Sequence, residues 1–134
     1  LFGHMNTLHC LFPLLAKASG NKSVTLIGSI NGKATFNGVG YSTAKAALNG
    51  LMMSLAPQLR SIDTRINIVS PGTVVTELTL SETKKDWSRL QQRLLTSSFT
   101  TPQDVASLVR CVAHNPSIEA RDIVIDSGQL ASSM

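Results

Sequence analysis

Tyr41 and Lys45 stand four residues apart at the head of the stretch YSTAKAALNGLMMSLA. On a helix that spacing places the phenol and the ammonium on one face. A tyrosine titrates near about 10, and a neighbouring ammonium stabilises its phenolate and brings that value towards neutrality. Ser29, twelve residues before Tyr41, adds a hydroxyl able to hold a carbonyl or alcohol oxygen. Such a trio can pass a proton to or from an oxygen while hydride moves at the attached carbon. Hydride itself requires a nicotinamide cofactor, because no side chain carries it. An interfacial tyrosine beside a snorkelling lysine has the same spacing, so the elements around the trio must decide.

Those elements alternate. Met5, Leu8, Phe12 and Leu15 follow a helical period between Met5 and Ser19. SVTLIGS (Ser23–Ser29) is short, β-rich and mostly apolar, as a strand buried on both faces should be. The loop INGKATFNGVG follows, then a long helix from Tyr41 to about Arg60, in which Pro57 should kink the last turn. RINIVS (Arg65–Ser70) reads as a second strand closed by Pro71-Gly72, and RDIVIDSG as a third strand and a terminal turn. Between them lie a polar segment, helical around Trp87, Leu90 and Leu94, and a helix capped by Thr101 with Pro102 and Asp104 behind it. Strand–helix alternation predicts an α/β fold: a parallel, Rossmann-like sheet of about three strands with helices on its faces. Sites in such sheets form at the strands' carboxyl ends. Ser29 and Pro71-Gly72 lie there, and Tyr41 opens the helix that follows the first.

Composition narrows the alternatives. The 134 residues, 43% hydrophobic and 15% charged, suit one domain. The formal charge of +4 is scattered, with Lys84-Lys85 as the adjacent basic pair, and aromatics are 4%, so a nucleic-acid platform is poorly supported. His4, His9 and His114 lack metal-ligand spacing. Cys10 and Cys111 form no CxxC and are expected as buried, reduced thiols of a cytoplasmic protein. No apolar run reaches the roughly 18 residues of a membrane span, and LFGHM lacks the basic region of a signal peptide. Gly28, Gly32 and Lys33 imitate a phosphate loop, but three residues separate the glycines and Ala34 follows the lysine. A phosphate loop needs four, and then Ser or Thr. The glycines are expected to serve tight turns in a flexible loop.

Four blocks, in order and in approximate register, carry a family resemblance. Ser29 with YSTAK resembles the Ser and Tyr-x-x-x-Lys motif of the short-chain dehydrogenases/reductases. RINIVSPGTVVTEL is similar to their Arg-Val-Asn…Pro-Gly…Thr segment, and IVIDSG to their terminal Asp-Gly-Gly. The resemblance implies an NAD- or NADP-dependent oxidoreductase acting at an alcohol or ketone carbon. It implies Tyr41 as general acid/base and Ser29 as the holder of the substrate oxygen. It further implies a cofactor site of Tyr41, Lys45, Pro71, Gly72, Val74 and Thr76, with Lys45 on the nicotinamide ribose hydroxyls. Residues 77–98 would form a substrate lid, and Asn67 and Asp126 would be structural. The family's glycine-rich dinucleotide-binding half precedes the first helix of this chain and is expected to be lacking, which makes residues 1–134 a partial domain. Asn6 aligns after the family's catalytic asparagine and is not expected to replace it.

Gly28 departs from the family by replacing the first of its paired serines, and Ser127 by replacing a terminal glycine. With half of the cofactor contacts lacking, a second expectation stands beside the enzyme: a non-catalytic remnant that self-associates. The outer edge of the first strand is open to pairing, and the two long helices are the faces this family commonly uses to dimerise. The expected partners are therefore a small alcohol or ketone and a second copy of the chain.

Overall fold

The computed structural model describes residues 1–34, 38–81 and 87–133. Three parallel strands, β1 (Lys22–Ile27), β2 (Thr64–Pro71) and β3 (Asp122–Ile125), form one sheet in the order β1-β2-β3. Helix α1 (Phe2–Lys17) precedes β1, and α2 (Val39–Arg60) connects β1 to β2. The short helices α3 (Glu77–Ser81) and α4 (Trp87–Gln91), then α5 (Pro102–His114), lie between β2 and β3. The α/β class, the parallel sheet and its three strands are as the sequence predicts. Each observed strand is offset by a residue or two from its predicted bounds, and α2 runs through Pro57 to Arg60.

Strand alternation sorts the side chains of β2 between two layers. Ile66 and Ile68 face α2 and pack with Leu26, Leu48, Met52 and Leu59, and Leu8 of α1 joins this cluster. Asn67 points to the opposite face. There its amide donates to the Ile118 carbonyl at 2.9 Å and accepts from the Arg121 N–H at 3.0 Å, which makes it structural. Arg65 secures α5 by donating to the carbonyls of Val112, Ala113, Asn115 and Ile118. These include carbonyls that the end of a helix leaves without a partner. At its other end α5 has the expected capping box: Thr101 Oγ1 accepts from the Asp104 N–H, and the Asp104 carboxylate accepts from the Thr101 N–H at 2.8 Å.

One expectation fails. Cys10 and Cys111 are both free and both exposed. Cys10 lies on the outer side of α1, a helix with no fully buried residue, and Cys111 on the outer side of α5.

Candidate active site

The carboxyl end of β1 runs through Gly28 to Ser29 and into a 3-10 turn, Ile30–Gly32. Neither Gly28 nor Gly32 has a positive φ. They are small because the backbone passes too close to its neighbours for a side chain. A Cβ on Gly28 would lie 2.4 Å from Ser70 Oγ, and one on Gly32 would lie 2.9 Å from the Lys45 backbone. The 3-10 turn is thereby pressed against α2 at the turn that carries Lys45. Residues 35–37 of the predicted loop lie outside the described residues, as do residues 82–86 of the expected lid.

A cavity of about 950 Å³ opens at these strand ends, and Ser29, Tyr41, Lys45, Pro71, Gly72, Val74 and Thr76 all line it. Every site residue expected from the sequence is thus brought to one place. The Lys45 ammonium stands 5.7 Å from the centre of the Tyr41 ring and donates to the Ile27 carbonyl at 2.9 Å. Burial holds the Lys45 pKa below its ordinary value. Burial also lowers that of His4, on α1, and the Lys45 charge adds to the effect. Tyr41 is half exposed and Ser29 is buried. The Thr76 hydroxyl is engaged in a reciprocal cap with Thr79 at the start of α3. The segment behind it is fastened by a Val74–Thr100 bridge and by Trp87 packed edge-on against Phe99 at 5.3 Å.

Two lining residues had no role in the sequence reading. Asn31 donates to Ser29 Oγ twice, from its backbone N–H and from Nδ2, each at 3.2 Å. A hydroxyl oxygen accepts two hydrogen bonds, so Ser29 is left with its own proton to give. Asn31 Oδ1 is buried without a partner. A polar residue two positions after a strand-end serine is the local turn signal that could have identified it. Gln129 is 3% exposed and holds the Thr73 N–H through Oε1 at 2.9 Å. No local signal in the sequence connects residues 56 positions apart.

No group of three metal-ligating side chains occurs among the described residues, and none of their helices is long and apolar enough to cross a membrane. The nicotinamide end of a dinucleotide fits the cavity. Pro71 and Val74 supply apolar wall, Gly72 lets the chain pass close to Asp126, where a Cβ would lie 2.6 Å from the Asp126 Cβ, and Lys45 retains donors beyond the one given to Ile27.

Comparison with known proteins accords with this geometry. The family model described as enoyl-(acyl carrier protein) reductase, of the short-chain dehydrogenase/reductase family, matches residues 1–129. An oxidoreductase of Schizosaccharomyces pombe is 31% identical over 98% of this chain and 53% of its own length. Carbonyl reductase family member 4 of Xenopus laevis is 33% identical over 79% of this chain and 44% of its own. The chain thus spans about half the length of these relatives, although it covers 87% of the short-chain dehydrogenase/reductase homolog YusR of Bacillus subtilis, at 33% identity over 84% of this chain. A short chain dehydrogenase from Burkholderia cenocepacia, solved in complex with NADP, superposes with a TM-score of 0.72 at 27% identity, covering 80% of this chain and 45% of that one. The chain belongs to the short-chain dehydrogenase/reductase family.

Proposed function

We propose that the chain carries the catalytic half of an NAD(P)-dependent oxidoreductase acting at an alcohol or ketone carbon. The observation that carries this reading is the convergence of Ser29, Tyr41 and Lys45 with the Pro71–Thr76 segment on one cavity. The bound dinucleotide would supply hydride chemistry. Ser29, with both acceptor positions filled by Asn31, gives its proton as a hydrogen bond to the substrate oxygen. Tyr41 donates a proton to that oxygen in reduction and takes it back in oxidation. Lys45 holds positive charge beside the phenol as the proton leaves, and offers its remaining donors to ribose hydroxyls. Residues 77–81 and 87–98 of the expected lid cover the substrate, and the site operates in the cytoplasm.

The described residues contain no glycine-rich phosphate cradle, so this chain should recognise the nicotinamide end of the cofactor and not the adenosine end. Titrating labelled protein with nicotinamide mononucleotide should shift the amide resonances of Lys45, Gly72 and Val74, whereas adenosine monophosphate should shift none of them. Equal responses to the two, or no response to either, would overturn the reading. Turnover by residues 1–134 assayed alone is expected at trace level, since each charge-assisted contact to phosphate that the described residues do not supply is worth about 1.5–3 kcal/mol.

A second reading, a non-catalytic chain that self-associates, is favoured by the apolar side chains that α1 and α2 leave exposed, Phe2, Leu14 and Met53 among them. Self-association and catalysis are compatible, and the same experiment separates the catalytic from the inert form.

A further inference from the structure

Gln129 is held from every side but one. Its backbone N–H donates to the Asp126 carbonyl at 3.0 Å, and its carbonyl accepts from the hydroxyls of Ser132 and Ser133. Its side-chain Oε1 faces the Thr73 N–H, which can only donate, so the amide's orientation is fixed. Nε2 must then point away from Thr73. It has no hydrogen-bond partner among the described residues, and it is not sealed from solvent as Asn31 Oδ1 is. The residue lines the cavity. A nearly buried amide with both hydrogens unpaired is a donor lacking an acceptor.

The rest of the lining indicates which acceptor. Lys45, a cation, lines it, and no carboxylate lines it among the described residues. Strand order places Ser29 after β1 and Gln129 after β3, with Pro71–Thr73 between them. A substrate oxygen held by Ser29 and Tyr41 therefore cannot also satisfy Gln129 unless the molecule extends past the end of β2.

We propose that Gln129 is a specificity-determining residue whose side-chain amide donates to a second oxygen of the substrate, a carbonyl or carboxylate remote from the reacting carbon. The substrates are then oxo-acids and their acyl derivatives, or the corresponding hydroxy compounds, rather than simple ketones and alcohols. This rests on the reading of the cavity as a carbonyl/alcohol site.

The test compares 4-oxopentanoate and its methyl ester with 2-pentanone, which has the same chain and no second oxygen. Both oxo compounds should bind about tenfold or more tightly than 2-pentanone, and both should move the Gln129 side-chain amide resonances. Gln129→Glu keeps an oxygen for the Thr73 N–H and removes the donors. It should abolish the preference for the neutral ester, where charge repulsion plays no part, so that within the variant the ester binds no more tightly than 2-pentanone. Shifts at Ser29 and Tyr41 with a motionless Gln129 side chain, or an ester preference that survives Gln129→Glu, would overturn this proposal alone. Absence of any response to all three compounds would overturn the carbonyl-site reading along with it.

Discussion

Ser29 and Asn31 show how a single residue can serve chemistry against stability. The Nδ2–Ser29 bond contributes about 1 kcal/mol, whereas a buried acceptor without a partner costs about 1–3 kcal/mol, and Asn31 Oδ1 is such an acceptor. Asn31→Ala removes both and leaves the backbone bond to Ser29 in place. We therefore expect the variant to be as stable as the parent, or up to about 1 kcal/mol more stable, in urea denaturation. Its affinity for 2-pentanone should fall nonetheless, because Ser29 is no longer oriented as a donor. A loss of more than about 1 kcal/mol in stability would show that Asn31 is a structural residue.

At the scale of elements, the tie between the Ser29 turn and the sheet runs through Asp122, at the start of β3. Its carboxylate accepts from Lys33 Nζ at 2.7 Å, from Asn49 Nδ2 of α2 at 3.0 Å and from Ser70 Oγ of β2 at 2.6 Å. Its side chain is 8% exposed against 27% for Lys33, so the pair is screened on one side only. Asp122→Ala deprives three donors at once and should cost about 2–3 kcal/mol, with the amide resonances of Ser29 and Lys45 displaced. A change below about 0.5 kcal/mol would mean that Gly32 packed on α2 holds the turn unaided. Very little of this network could be read from the sequence. Tyr41 with Lys45, and Thr101 with Asp104, were legible because a helix fixes which residues three or four apart meet. Asp122, Lys33 and Gln129 act across 52 to 89 residues of chain, and only the sheet order brings them to their partners. The exposure of Cys10 is not legible in the sequence for a related reason: periodicity marks an apolar helix but not which of its sides is covered.

Residues 1–134 together expose more surface than their mass warrants. Their accessible area is 8215 Å² for 14.3 kDa, whereas a compact monomer of that mass exposes about 6800 Å². The excess of roughly 1400 Å² exceeds the roughly 800 Å² that one partner contributes to a standard interface. Much of the exposed apolar surface lies on the two long helices, with Phe2 76%, Leu14 64% and Met53 61% exposed, and α1 has no fully buried residue. β1 is also an edge of the sheet, and edge pairing is the competing way to cover surface. A helix bundle is the better arrangement for function, because it leaves the strand ends around Tyr41 open. In a two-fold dimer each covered side chain counts twice, at about 1.5–3 kcal/mol for a large apolar residue. Sedimentation equilibrium at micromolar concentration is therefore expected to give a dimer or larger assembly. Leu14→Glu combined with Met53→Glu should dissociate it, since both substitutions fall on the helices and neither touches the β1 edge. An assembly that survives this pair would point to edge pairing instead. A parent chain that sediments as a monomer and unfolds in one cooperative transition would show that neither surface pairs with a second copy.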